Sequence, residues 1–161
     1  MQLIFGDVFK LLDAFSPTDA EASDWTSDVT YFSGLKIISN TWRGTGIQRK
    51  LWSAAAALFG EVLADKLFKK QMSQCVRTRW GSPSVVEARI DECAPFIANV
   101  FGKVFGQDPE KKKRRRVDDD DGYNLGKWRG IALRMSGSRV FLLVVKVSKV
   151  AKKELDHVLY W

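Results

Sequence analysis

The sequence predicts a mainly α protein: a helical bundle built on an antiparallel helix hairpin, with a disordered charged linker. Three observations predict it. Residues 47–74 and 82–104 each carry apolar side chains at helical spacing over many turns. Between them lies a short, polar, basic stretch, Cys75-Val76-Arg77-Thr78-Arg79-Trp80-Gly81-Ser82-Pro83, of a length that returns a second helix along the first. Residues 107–122 form blocks of like charge, which stay solvated rather than pack.

Composition sets the bounds. With 161 residues, 45% of them apolar, the chain is one domain with at most an appended tail. Its net charge of +7 is uneven: residues 1–46 hold three basic and six acidic side chains, and residues 108–161 hold fourteen and eight. A basic body behind an acidic head attracts polyanions or is partly self-neutralised. Cys75 and Cys93 make no disulfide framework, and with His157 alone they make no zinc site. Residues 1–7 lack the basic start of a secretory signal. The longest apolar run, residues 140–145, is far below the roughly 20 residues that span a bilayer. A soluble intracellular protein with reduced thiols and no membrane partner is expected.

Along the chain, Leu3, Ile4, Val8, Leu11, Leu12 and Phe15 predict a short amphipathic helix, ended by Ser16-Pro17. The acidic segment 1–46 is otherwise irregular, with a strand-like patch at 29–38. In the hairpin, 47–107, the first helix has Thr45 and Gln48 as a capping box and a broad stripe from Leu51 through Trp52, Ala55, Leu58, Phe59, Val62 and Leu63 to Leu67. Asp65 and Lys69 form an i,i+4 pair on its other face. Ser82 caps the second helix, Pro83 occupies its first turn, and the stripe is Val86, Ile90, Cys93, Ile97, Val100, Phe101 and Val104. Glu87, Asp91 and Glu92 are placed toward its amino end, as the macrodipole favours. Pro95 should kink or split it. The charged linker is 108–122. Residues 123–161 form the C-terminal helices, with a turn at Ser136-Gly137-Ser138. The run 140–147 suits a buried strand by composition, whereas the length of 139–161 and the stripe Phe141, Val144, Val147, Ala151, Leu155 argue for helix. Lys152 and Asp156 are expected to pair on the solvent side. The segment reaches Tyr160-Trp161 without a Gly or Asn stop signal, as in a piece of something longer or a helix docked by its aromatics.

The block Cys75-Val76-Arg77-Thr78-Arg79-Trp80-Gly81-Ser82 resembles the Thr-Arg-Trp-Asn-Ser turn of hAT-superfamily transposases, with Gly81 in the place of Asn. Glu87-Ala88-Arg89-Ile90 follows in register, and Leu155-Asp156-His157-Val158-Leu159-Tyr160-Trp161 is similar to a later helix of that family. The resemblance implies the helical insertion of an RNase H-like catalytic domain. The family's chemistry needs three carboxylates holding Mg2+, and none of the three matches a position here. The expectation is therefore a transposon-derived, non-catalytic helical fragment rather than an enzyme, without cofactor or metal.

The residues that would carry a function are basic. Arg77 and Arg79 suit DNA phosphates, and Trp80 suits stacking on a base or anchoring of the turn. Lys111, Lys112, Lys113, Arg114, Arg115 and Arg116 suit phosphates, or the acidic groove of a nuclear import receptor. Nuclear localisation follows from that run; without it the protein is cytoplasmic. Asp118-Asp119-Asp120-Asp121-Gly122 fails as a calcium loop, because Val117 and Trp128 would fall where oxygen ligands are needed. His157 beside Asp156 reads as a surface residue, and Cys75, although near Arg77 and Arg79, as a structural thiol. DNA binding or self-association, giving a homo-oligomer, is the expected residual activity. The alternative is a small helical protein-interaction module with no nucleic-acid role, docking through Tyr160, Trp161 and the amino-terminal stripe.

Overall fold

The computed structural model describes residue 12 and residues 29–76, 81–106 and 125–159. Six helices run through them: α1 (Tyr31–Trp42), α2 (Thr45–Phe59), α3 (Glu61–Phe68), α4 (Ser82–Phe105), α5 (Leu125–Gly137) and α6 (Arg139–Leu159). No strand occurs among the described residues. The mainly α helical bundle holds, and 139–147 is helix.

The spine is α4, about 36 Å long at 1.5 Å per residue. Its stripe of Val86, Ile90, Cys93, Ile97, Val100 and Phe101 is buried as its spacing predicts. The other helices pack around it. Phe59 meets Phe96 edge-on, while the Leu67 carbonyl accepts from Cys93 and Arg89. Ascending the first strand of contacts descends the second, so α2–α3 runs antiparallel to α4. The helix pair is the hairpin the periodicity anticipates. On another side, Arg129 lies over Phe105, Gly137 faces Ala98, Lys149 pairs with Asp91 and Lys152 with Glu87. Thus α5 and α6 follow one another down α4 in the same antiparallel sense. In contrast, α1 runs parallel to α4, with Tyr31 at Glu87 and Trp42 at Phe101. Trp42 also stacks on Phe68 at 5.2 Å and so joins three helices.

Local departures from expectation have identifiable causes. Residues 31–42 form helix rather than strand: Thr30 caps it, accepting from the Ser33 amide, and β-branched Ile37 and Ile38 are overridden by burial against α4 and α5. The predicted long helix 47–74 is interrupted at Gly60, whose φ of +92° lies in the left-handed region, and α3 ends at Phe68. Leu58 and Val62, assigned to its stripe, are exposed. The capping box is not formed; Gly44 is the N-cap and the Gln48 amide reaches the Lys69 carbonyl instead. At α4, Gly81 (φ +81°) is the N-cap and Ser82 opens the helix. Pro95 is accommodated within one continuous helix. Ser138 separates α5 from α6 and caps α6, its Oγ accepting from the Phe141 amide.

The buried face of α6 differs most. It is Phe141, Val145, Ser148 and Lys152, not the stripe containing Val147, which is exposed. Lys152 is buried, not on the solvent side. Its ammonium donates to Glu87 Oε2, while Tyr31 and Ser148 hydroxyls donate to Glu87 Oε1 at 2.6 and 2.8 Å. Glu87, expected to be a macrodipole residue, is fully buried.

Removing one partner of a buried pair strands the other charge. Lys152→Met or Glu87→Gln should each cost about 3–5 kcal/mol. The double variant should cost less than the sum of the two, as urea titration will read. A Cβ on Gly34 would lie 2.6 Å from Met135 Cε and 2.9 Å from Phe141. Gly34→Leu should therefore lower the unfolding free energy by at least about 2 kcal/mol.

Candidate functional site

The residues singled out in the sequence, Arg77, Arg79, Trp80 and Lys111, Lys112, Lys113, Arg114, Arg115 and Arg116, lie outside the described residues. So do Tyr160, Trp161, Asp118 to Asp121 and, Leu12 aside, the amino-terminal stripe. What the fold supplies is the frame on which the Thr-Arg-Trp turn stands. The Val76 amide donates to Ser82 Oγ at 2.9 Å, and Ser82 Oγ donates to the Val76 carbonyl at 2.8 Å. One side chain thus ties the two ends of the turn. The approach to it, residues 69–76, is fixed to α1 and its C-cap by side-chain bonds, two of which satisfy backbone groups of the segment. Ser39 Oγ donates to the Ser73 carbonyl at 2.6 Å and accepts from the Cys75 amide at 3.1 Å, while Gln71 donates to the Arg43 carbonyl.

Beside that approach, α2 and α3 enclose an open groove of about 400 Å³ lined by Gln48, Arg49, Trp52, Asp65 and Lys69. The expected Asp65–Lys69 pair forms at 3.0 Å, and Trp52 Nε1–H donates to the other Asp65 oxygen at 2.8 Å. Hydrogen bonds from Lys69 and then Trp52 hold the Asp65 carboxyl below its ordinary range. The carboxylate is spent on these neighbours, and Arg49 lines the same groove. Among its lining residues no nucleophile and base lie in reach of each other.

The described residues carry 17 Lys and Arg against 7 Asp and Glu. Four of those acids, Asp65, Glu87, Asp91 and Glu92, are engaged by Lys69, Lys152, Lys149 and Arg89. Thirteen of the bases are exposed, and among the acids Glu61, Asp65, Glu92 and Glu154 are, so the positive excess faces outward. No group of three metal-ligating side chains occurs among the described residues, and none of their helices is long and apolar enough to cross a membrane.

The Glu87 cluster is the feature that sequence reasoning misses. Its groups belong to three helices and lie 1% and 6% exposed at the Glu87 and Lys152 side chains. Burial pushes the Lys152 ammonium down, against the attraction of Glu87, and burial with Glu87 pushes the Tyr31 phenol up. The free thiols are buried too: burial raises both Cys75 and Cys93 to about 12. Cys75 is thus a protonated structural thiol despite its basic sequence neighbours.

In comparisons with family models, with curated proteins and with solved structures, the chain matches none.

The buried acids set an alkaline limit. The folded state keeps the protons of Cys75, Cys93 and Tyr31 above the values at which the unfolded chain releases them, 9.0 for the thiols and 10.0 for the phenol. Their stabilisation is intact below about pH 9 and is lost as pH rises toward 12. Lys152, with its folded value lowered, acts in the opposite sense below 10.5, one group against three. The melting temperature should fall between pH 9 and 12 by circular dichroism. Cys93→Ala, less stable at neutral pH, should show a smaller fall over that window.

Proposed function

We propose that the chain is a non-catalytic, transposon-derived helical fragment that acts in the nucleus by binding DNA through its phosphates. The observation that carries this reading is the outward positive excess of the described helices, whose exposed bases outnumber their exposed acids. Arg77 and Arg79 lie in sequence between Val76 and Ser82, which are tied to each other, and this supports phosphate contact there. Lys111, Lys112, Lys113, Arg114, Arg115 and Arg116 supply a second set of contacts and the import signal. Trp80 stacks on a base or anchors the turn. The resemblance to the hAT insertion supports the origin and the absence of a catalytic role.

Phosphate contacts release counterions, so affinity must fall steeply with salt. If the two arginines and the six-residue run all engage, the slope of log affinity against log salt on duplex DNA should be roughly −7. Arg77→Ala and Arg79→Ala should each reduce its magnitude by about 1. Fluorescence anisotropy on short duplexes at several salt concentrations reads both. No binding at low salt, or binding indifferent to salt, rejects the reading. Substituting residues 111–116 with Ser in a fluorescent fusion should abolish nuclear accumulation; unchanged accumulation rejects the import role.

A further inference from the structure

The outer face of α6 is a coiled-coil seam without a partner among the described residues. While Phe141, Val145, Ser148 and Lys152 face the core, the opposite side presents Leu143, Val147 and Val150 at 61%, 56% and 55% exposure. Their spacing of four and three continues to half-buried Val140 and to exposed Glu154 and His157. In heptad terms, Val140, Val147 and Glu154 take the a positions and Leu143, Val150 and His157 the d positions. Val140 and Val147 at a with Leu143 at d follow a pairing helix's pattern, which Val150 extends and which ends at Glu154 and His157. The flank is equally regular. Every g position, Arg139, Lys146 and Lys153, is basic and exposed, whereas the e positions are Val144 and Ala151.

We infer that α6 docks an amphipathic helix of a partner protein with an apolar seam flanked by acidic residues. The basic g row decides the occupant. In an antiparallel pair of α6 helices the g rows of two copies would face each other with like charge. In a parallel pair they would face Val144 and Ala151 and gain nothing. A membrane surface fits poorly, because the seam has no aromatic side chain and no base on its e flank. An acidic helix satisfies both features at once, covering the aliphatic row and pairing with the three cations. This inference uses residues other than those lining the α2–α3 groove and other than Arg77, Arg79, Trp80 and residues 111–116.

The test uses the full chain and three-heptad peptides with Val at a and Leu at d. One peptide carries Glu at e and g, one carries Lys there, and a third has the Glu composition with the seam scrambled. The Glu peptide should bind with a Kd of roughly 10–100 μM, at least about tenfold tighter than either other peptide. Val147→Ser/Val150→Ser, both at exposed sites, should weaken it about tenfold or more while leaving the melting temperature and DNA affinity unchanged. Lys146→Glu/Lys153→Glu should reverse the preference toward the Lys peptide. Equal binding of the scrambled acidic peptide, or indifference to the serine variants, overturns the inference. So does concentration-dependent dimerisation abolished by the serine variants, which assigns the seam to a second copy. Binding to phosphatidylserine vesicles lost in the same variants, with no peptide binding, assigns it to lipid and likewise overturns it.

Discussion

The arrangement of the bundle depends on a buried carboxylate with three donors drawn from two other helices. Glu87 on α4 receives Tyr31 from α1 and Ser148 and Lys152 from α6. A buried charge is tolerated only when paired and hydrogen-bonded, so this contact fixes the rotation of α6 about its own axis. Turning α6 to bury the aliphatic row at Leu143, Val147 and Val150 would place Lys152 in water and leave Glu87 without its cation. The same turn would expose Phe141 and Val145, which are fully buried. The ionic contact accounts for a helix that puts a lysine inward and three aliphatic residues outward.

The same contact explains where sequence reading succeeds and where it fails. The α4 stripe is legible because its core is apolar throughout, and spacing alone finds Val86, Ile90, Cys93, Ile97, Val100 and Phe101. The α6 stripe is misread because its buried row contains Ser148 and Lys152, which a hydrophobic pattern assigns to solvent. A signal was present: Glu87 lies four residues after buried Pro83 and three before Ile90, on the apolar stripe itself. In α1, β-branched residues suggest strand, and only the neighbouring helices decide for helix. The break at Gly60 is another nonlocal decision, since one glycine within a helical pattern is usually tolerated.

The residues proposed to contact phosphate were legible as composition rather than as geometry. Arginines next to a tryptophan in a hairpin turn, and a six-residue basic run, stand out in the sequence. The described structure adds the tie between Val76 and Ser82. The groove between α2 and α3 was not legible, because Trp52 reads as core and Asp65 as an isolated surface partner of Lys69. Their convergence depends on the bend at Gly60, which no periodicity announces.

The wide separation of Glu87 from its donors has a practical consequence for dissection. Tyr31 precedes it by 56 residues and Lys152 follows it by 65. An excised hairpin covering 47–107 would keep the acid and discard every group that neutralises it, on a face no longer shielded by α1 or α6. Such a fragment should fold poorly or acquire its own acid-dependent order, so the hairpin is a unit of topology and not a unit of autonomy.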